Sequence, residues 1–169
     1  MLQSFGMSFD GRLLKRGFWL YIWEIKGPFS PHVYVGRTGD SSSPNASSPF
    51  RRIGQHLDPR PGAKGNALGR QLKNSGIDCE ECSFEMTALG PIFPEQATFE
   101  AHVPFRNQMA ALERAVADLL RHRGYIVLGT HPRARTPDQG ILCQIQKILS
   151  ARFKVVSRQK QPRKTSTQG

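Results

Sequence analysis

Three segments of the chain have the apolar pattern of β-strands. Residues 17–26 are dominated by aromatic and β-branched side chains, and Gly27-Pro28 stops the run, as is typical of a β-strand. Residues 32–37 repeat the pattern after a short connection, which favours an antiparallel hairpin. Residues 82–88 alternate well enough to predict a third strand.

Helical spacing of apolar residues marks the segments between and after these strands. Short helices are predicted at 49–57 and 66–74, and the longest periodic stretch covers 105–122. A last helix is predicted at 138–150, and residues 125–128 are a candidate short strand. The pattern therefore predicts an α+β (α/β) fold in which a small three-stranded antiparallel sheet is flanked by helices.

The chain divides into one domain and two flanking segments. Its 169 residues suit a single domain, which we place at 17–151. Residues 1–16 are predicted to be a loosely structured N-terminal extension. Residues 152–169 are rich in Lys and Arg and poor in apolar groups, which predicts a disordered basic tail.

The charge balance points to a polyanionic partner. The chain has 24 Lys and Arg against 13 Asp and Glu, a net charge of +11. Nucleic acid is the first candidate, because a duplex concentrates phosphates along its axis. A membrane surface is the weaker candidate, since no basic amphipathic helix of the required contrast is present.

The chain is expected to be cytoplasmic. No secretory leader is visible at the N-terminus, and no run approaches the roughly 20 apolar residues of a membrane-spanning helix. The cysteines Cys79, Cys82 and Cys143 are odd in number and do not form a disulfide framework, which favours a reducing compartment. Cys79-x-x-Cys82 lacks a second ligand pair, so a structural zinc site is not expected.

Polar residues of catalytic types are interleaved with the apolar pattern. Tyr21 lies in the first predicted strand and Tyr34 in the second. Arg52 and His56 are four residues apart, so they share a face of the short helix, away from its apolar stripe. Glu113 falls at the edge of the apolar stripe of the long helix. This set of residue types, in a strongly basic chain, suits attack on a phosphodiester.

The order of these residues resembles the motifs of the GIY-YIG nuclease family. Leu20-Tyr21-Ile22 is similar to variants of the family's first motif, and Tyr34-Val35-Gly36 to its second. The family's helix motif, Arg-x-x-x-His, is matched by Arg52-Ile53-Gly54-Gln55-His56, and its later glutamate by Glu113. The resemblance covers about residues 17–131 and rests on the pieces occurring together in this order.

The resemblance implies a metal-dependent endonuclease that hydrolyses DNA phosphodiester bonds. It implies Glu113 as the protein ligand of Mg²⁺ (or Mn²⁺), an ion that one carboxylate and several waters can hold. A tyrosine would be the general base. We favour Tyr21, with Tyr34 and His56 positioning the water or relaying its proton. Arg52 would neutralise charge on the scissile phosphate.

Basic residues close to the motifs are the expected DNA contacts. They follow the second strand, lie on the two short helices or occupy the loop between those helices, and they are Arg37, Arg51, Arg60, Lys64, Arg70 and Lys73. Cutting both strands of a duplex with one small catalytic centre favours a homodimer. The sequence leaves open the DNA target and the choice among restriction, repair and mobile-element roles.

One departure from the family leaves a second function open. Family members often carry an asparagine after the glutamate helix, but residues 124–131 contain none. Ile126 stands at that place, and Thr130 and His131 are candidate substitutes. The alternative is a nucleic-acid-binding protein of the same fold whose cutting is weakened or lost. A third interpretation is a small basic nucleic-acid-coating protein with another fold.

Overall fold

The structure is a computed structural model that describes residues 2–27, 32–40, 45–60, 62–131, 133 and 136–156. The strands within this part of the chain are β1 (Phe18–Lys26), β2 (His32–Arg37), β3 (Ser83–Phe93) and β4 (Ile126–Leu128). The α-helices are α1 (Pro49–His56), α2 (Ala67–Asn74), α3 (Phe99–His122) and α4 (Gln139–Arg152). Two single-turn 3₁₀ helices span Gly11–Leu14 and Cys79–Glu81.

The four strands form one sheet in the order β3-β1-β2-β4. The α+β class is confirmed, but the sheet has a fourth strand and is mixed. β1 pairs antiparallel with both β2 and β3, whereas β4 pairs parallel with β2. The parallel pair forms because β4 follows the long helix α3, which returns the chain to the end of the sheet where β2 begins.

Two elements are longer than the sequence pattern predicts. β3 continues through Pro91 to Phe93, which the sheet tolerates because β3 is an edge strand. Helix α3 begins at Phe99 rather than 105, and the Thr98 side chain caps it by accepting a hydrogen bond from the Ala101 N–H. Pro104 lies on the exposed side of this helix, where water can satisfy the carbonyl that it leaves unpaired.

The sheet is covered on both faces, which explains why β1 is apolar and buried along nearly its whole length. Phe18, Leu20 and Ile22 pack in one core with α3 and α4. Tyr21 and Trp23 point to the opposite face and pack in a second core with residues of α1 and α2. The side chains of one strand therefore contribute to both layers.

The folded part of the chain continues past 151. Arg152 ends α4 and forms ion pairs with Glu24 and Glu85. Phe153 is 1% exposed, and its ring lies 5.7 Å from that of Tyr125. Residues 152–156 therefore belong to the domain and not to the predicted tail. The predicted disorder of 157–169 falls on residues outside the described ranges.

The N-terminal extension lies against α1. Residues 2–10 contain neither helix nor strand, and the Phe9 ring lies 4.5 Å from that of Phe50. Lys15 accepts a hydrogen bond through its carbonyl from the Trp19 indole at 3.0 Å. None of the helices in the described ranges has the length and apolar character needed to cross a bilayer.

Gly36 on β2 lets the backbone approach the Tyr21 ring on β1. The two residues are direct partners in the antiparallel register. A Cβ at position 36 would lie 2.5 Å from Cε2 of Tyr21 and 2.8 Å from its hydroxyl oxygen. The absence of a side chain at position 36 therefore decides where the Tyr21 ring can lie.

Replacing Gly36 with alanine should lower the free energy of unfolding by on the order of 1–3 kcal/mol, because the new Cβ overlaps the Tyr21 ring. Gly54→Ala is the control: it lies in α1 with open space around it and should raise that free energy by about 0.5–1 kcal/mol. Urea unfolding of both variants gives the comparison. A Gly36→Ala protein as stable as the parent would contradict the close approach.

Candidate active site

The centre of the site is the hydroxyl of Tyr21, a residue with no exposed surface. This hydroxyl donates a hydrogen bond to the carbonyl of Arg37 at 3.1 Å. Its oxygen lies 2.6 Å from Nε2 of His56 and accepts a longer bond, 3.4 Å, from Nε of Arg52. Two residues of the predicted helix motif therefore meet the tyrosine of the first motif at one atom.

Helix α1 presents Arg52 and His56 to the sheet. Ser48 caps the helix by accepting a hydrogen bond from the Arg51 N–H at 3.3 Å. We expected the shared face of Arg52 and His56 to point away from the apolar stripe, but His56 is completely buried between the helix and the sheet. The reason is that two faces of this segment pack on the domain, one through Ile53 and Leu57 and the other through Arg52 and His56.

Burial keeps His56 neutral. Burial, followed by the nearby charge of Arg52, lowers the pKa of His56 from its ordinary value of 6.5 to about 4. Its Nδ1 atom is buried and has no hydrogen-bond partner among the described residues. The Tyr21 hydroxyl has one proton, so Nε2 donates to its oxygen while that proton is donated to the Arg37 carbonyl, and Nε2 accepts from the hydroxyl when the imidazole proton lies on Nδ1.

Tyr34 is the more accessible of the two phenols. It is partly buried, and its ring centroid lies 5.3 Å from that of His56. Burial, together with the negative charge of Glu113, raises the pKa of Tyr34 to about 12. Burial raises the pKa of Tyr21 further above its ordinary value, although Arg52 opposes that shift. Both phenols are consequently neutral in the free protein near pH 7.

Glu113 approaches this cluster from the other face of the sheet. It lies on α3, is 8% exposed, and forms an ion pair with Arg37 at the end of β2. Burial raises the pKa of Glu113 to about 7, against the opposing effect of Arg37.

Arg37 joins the two groups. Its carbonyl accepts the Tyr21 hydroxyl, and its guanidinium pairs with Glu113. The phenol and the acid are therefore linked through one residue at the same end of the sheet.

The carboxylate of Glu113 suits a hard divalent cation. Within the described ranges no group of three or more His, Cys, Asp or Glu side chains is placed to hold a metal ion, so a closed protein-only site is not formed. Mg²⁺ does not need one, because it commonly binds one or two carboxylates and keeps several waters. Arg37 would have to leave Glu113 for such an ion to bind.

The expected DNA-contacting residues fall into two groups. Arg37 is mostly buried, whereas Arg51 is exposed on α1. The others surround a cleft of about 900 Å³ or the loop beside it, and they are Arg60, Lys64, Arg70 and Lys73. Arg60 pairs with Asp58 at the rim of this cleft. The cleft is lined by both basic and acidic side chains.

Ile126, at the place of the family's asparagine, lies in β4, and the two candidate substitutes, Thr130 and His131, follow that strand. Ile126 is 47% exposed and pairs with His32, at the opposite end of β2 from Arg37. Thr130 is exposed. Nδ1 of His131 lies 3.1 Å from Nη2 of Arg121. Cys79 and Cys82 are free thiols.

Two residues of the site were missed by sequence reasoning. Asp40 forms an ion pair with Arg52 at 3.0 Å, and Gln55 accepts a hydrogen bond from the same arginine at 3.2 Å. Asp40 stands in a run of Gly, Asp, Ser and Pro that predicts only a loop. Gln55 lies inside the Arg-x-x-x-His motif, three residues from Arg52, and this helical spacing was the available signal.

The buried neutral His56 should make stability sensitive to acid. Because the folded-state pKa lies below 6.5, the contribution is complete above pH 6.5 and is lost as the pH falls through about 4. His56→Gln should therefore gain stability relative to the parent by up to about 3 kcal/mol over that interval.

Urea unfolding at pH 7, 6, 5 and 4 measures this difference. The exposed residue His122 supplies the control substitution, His122→Gln. If the stability difference between His56→Gln and the parent does not change with pH, His56 is not a buried neutral group.

No protein-family model matches this chain, and neither a search of curated proteins nor one of solved structures finds a match. The support for a function comes from the residues of the site themselves.

Proposed function

We propose that the protein is a metal-dependent endonuclease of the GIY-YIG type that hydrolyses DNA phosphodiester bonds. The observation that carries this proposal is the double role of Arg37, whose carbonyl binds the Tyr21 hydroxyl and whose side chain binds Glu113. This places a candidate base and a candidate metal ligand around one residue. Phosphodiester hydrolysis needs both an activated water and stabilisation of the phosphoryl charge.

Tyr21 and His56 are proposed to act as a relay. A free phenolate is unfavourable in this buried place, because burial raises the pKa of Tyr21. His56 removes this requirement, because its Nε2 lies 2.6 Å from the phenol oxygen. When the hydroxyl turns its single proton from the Arg37 carbonyl to Nε2, His56 can take that proton while the phenol oxygen takes one from water. Tyr34 lies beside the same imidazole and is partly exposed, which suits it to position the attacking water.

Glu113 is the residue proposed to hold Mg²⁺ or Mn²⁺. An ion bound there would supply charge stabilisation on the phosphoryl oxygens and assist departure of the leaving oxygen. The ion pair with Arg37 keeps the carboxylate occupied in the free protein. A phosphate that attracts Arg37 would leave Glu113 available, and Arg37 would then serve as a phosphate contact.

DNA is the proposed substrate because both the net charge of the chain and its exposed basic residues favour binding of a polyanion. The net charge of +11 attracts a polyanion, and Arg51, Lys64 and Lys73 are exposed near the site or the adjoining cleft. Such contacts position a duplex without reading its sequence. A homodimer that cuts both strands and a cytoplasmic location belong to the same proposal.

A DNA-binding protein that does not cut is the second candidate. It is favoured by one observation: Glu113 is paired with Arg37, and neither Thr130 nor His131 has a hydrogen bond to it among the described contacts. In this alternative the ion pair is a permanent part of the structure. Binding of DNA would then persist without any requirement for a divalent cation.

Glu113→Gln decides between the two candidates. If the chain is a nuclease, nicking of supercoiled plasmid in Mg²⁺ or Mn²⁺ should fall by at least about a hundredfold, because the amide is a poor metal ligand. DNA binding without divalent cations should be retained. The control is Glu100→Gln, an exposed residue in the first turn of the same helix.

Cleavage by Glu113→Gln at the parental rate would contradict the metal assignment. A parent protein that binds DNA and cuts no form of it, with either ion, would favour the binding-only candidate.

A further inference from the structure

Asp40 lies at the candidate active site although none of the sequence motifs includes it. Its carboxylate accepts a hydrogen bond from Nη2 of Arg52 at 3.0 Å. The side chain of Arg52 is 16% exposed and that of Asp40 is 39% exposed, so the pair lies where the buried cluster meets the surface. A phosphate approaching Arg52 would meet this pair.

Arg52 is held by a different acceptor at each nitrogen. Nε donates to the Tyr21 oxygen at 3.4 Å, Nη1 donates to Gln55 Oε1 at 3.2 Å, and Nη2 donates to Asp40. A guanidinium has five N–H donors, one on Nε and two on each terminal nitrogen. One donor therefore remains on Nη1 and one on Nη2. Two donors on one planar group match two oxygens of a phosphate.

The backbone that carries Asp40 is fixed from two sides. Thr38 is completely buried, accepts a hydrogen bond from the Trp19 N–H at 2.8 Å and donates one to the Gly17 carbonyl at 2.6 Å. The Gly39 carbonyl accepts from Nε2 of the buried His102 at 3.0 Å. Gly39 has a φ of +73°, a conformation that favours glycine. Asp40 consequently extends from an anchored turn.

We propose that Asp40 is a positioning residue that orients Arg52 toward both the Tyr21 hydroxyl and the scissile phosphate. This inference rests on the proposed nuclease function and adds a residue to it. Asp40 restricts rotation of the guanidinium, so that Nε stays on the phenol and the two free donors face the substrate. A misorientation of about 1 Å at such a group can cost roughly a hundredfold in rate.

If Asp40 acted only through its charge, removing it would change the cleavage rate in the opposite direction. After burial, which is the main cause, the charge of Asp40 contributes to raising the pKa of both Tyr21 and Tyr34. A residue acting only through its charge would therefore hinder proton removal from the phenols, and its loss would speed cleavage. The positioning role predicts that its loss slows cleavage, so the sign of the change separates the two.

The kinetic test compares Asp40→Ala, Asp40→Asn and Asp10→Ala in single-turnover plasmid cleavage with Mg²⁺. Asp40→Ala should cut roughly 10- to 100-fold more slowly, with a DNA dissociation constant, measured without divalent cations, within about threefold of the parent. Asp40→Asn should recover most of the rate, because its amide oxygen still accepts from Arg52. Asp10 pairs with Arg12 in the N-terminal extension, and its substitution should leave the rate unchanged.

A second measurement does not depend on cleavage. The ¹⁵N–¹H signal of Arg52 Nε, assigned by its absence in Arg52→Lys, should be protected from exchange with water in the parent and in Asp10→Ala. In Asp40→Ala the same signal should exchange faster or broaden, because the guanidinium rotates more freely.

The two measurements separate the possible failures. A parent that does not cut refutes the nuclease function, and the Arg52 signal then decides alone whether Asp40 positions the guanidinium. A parent that cuts together with an Asp40→Ala protein that cuts equally fast or faster refutes the positioning role. An Arg52 signal unchanged in Asp40→Ala refutes it as well.

Discussion

The buried hydroxyl of Tyr21 is the interaction on which the rest of the site depends. Three residues from two elements converge on this one oxygen: Arg37 at the end of β2, through its carbonyl, and His56 and Arg52 on helix α1. A buried hydroxyl without partners would cost free energy, so its hydrogen bonds also fix the helix on the sheet. The missing side chain at Gly36 makes room for the Tyr21 ring at this place.

In the free protein, the titratable side chains of this site are either neutral or paired with an opposite charge. His56 and the two tyrosines are neutral because burial disfavours their charged forms. Both arginines of the site carry an acidic partner, Asp40 for one and Glu113 for the other. The pair of Arg37 and Glu113 is sheltered from solvent, so removing one partner would leave a poorly solvated charge, whereas Asp40 is partly exposed. A phosphate could replace Glu113 at Arg37 and a divalent cation could replace Arg37 at Glu113, which would preserve the balance of charge.

The sequence was most informative where local periodicity determines the structure. The strands β1 and β2 and the shared face of Arg52 and His56 follow from spacing of two and four residues. The parallel pairing of β4, a segment predicted only as a candidate strand, and the full burial of His56 do not, because both depend on how distant elements pack. The contact of Asp40 with Arg52 could not be predicted for the same reason. The loop that carries Asp40 is fixed by Thr38 and His102, which are far from Arg52 along the chain.

The central claim is that the Tyr21 hydroxyl takes part in phosphodiester hydrolysis. The most direct measurement is cleavage of supercoiled plasmid in Mg²⁺ or Mn²⁺ by the parent, Tyr21→Phe and Tyr125→Phe, after each has been shown to be folded. The account predicts that the parent and Tyr125→Phe cut, whereas Tyr21→Phe binds DNA without cutting it. Cutting by Tyr21→Phe at the parental rate would contradict the account.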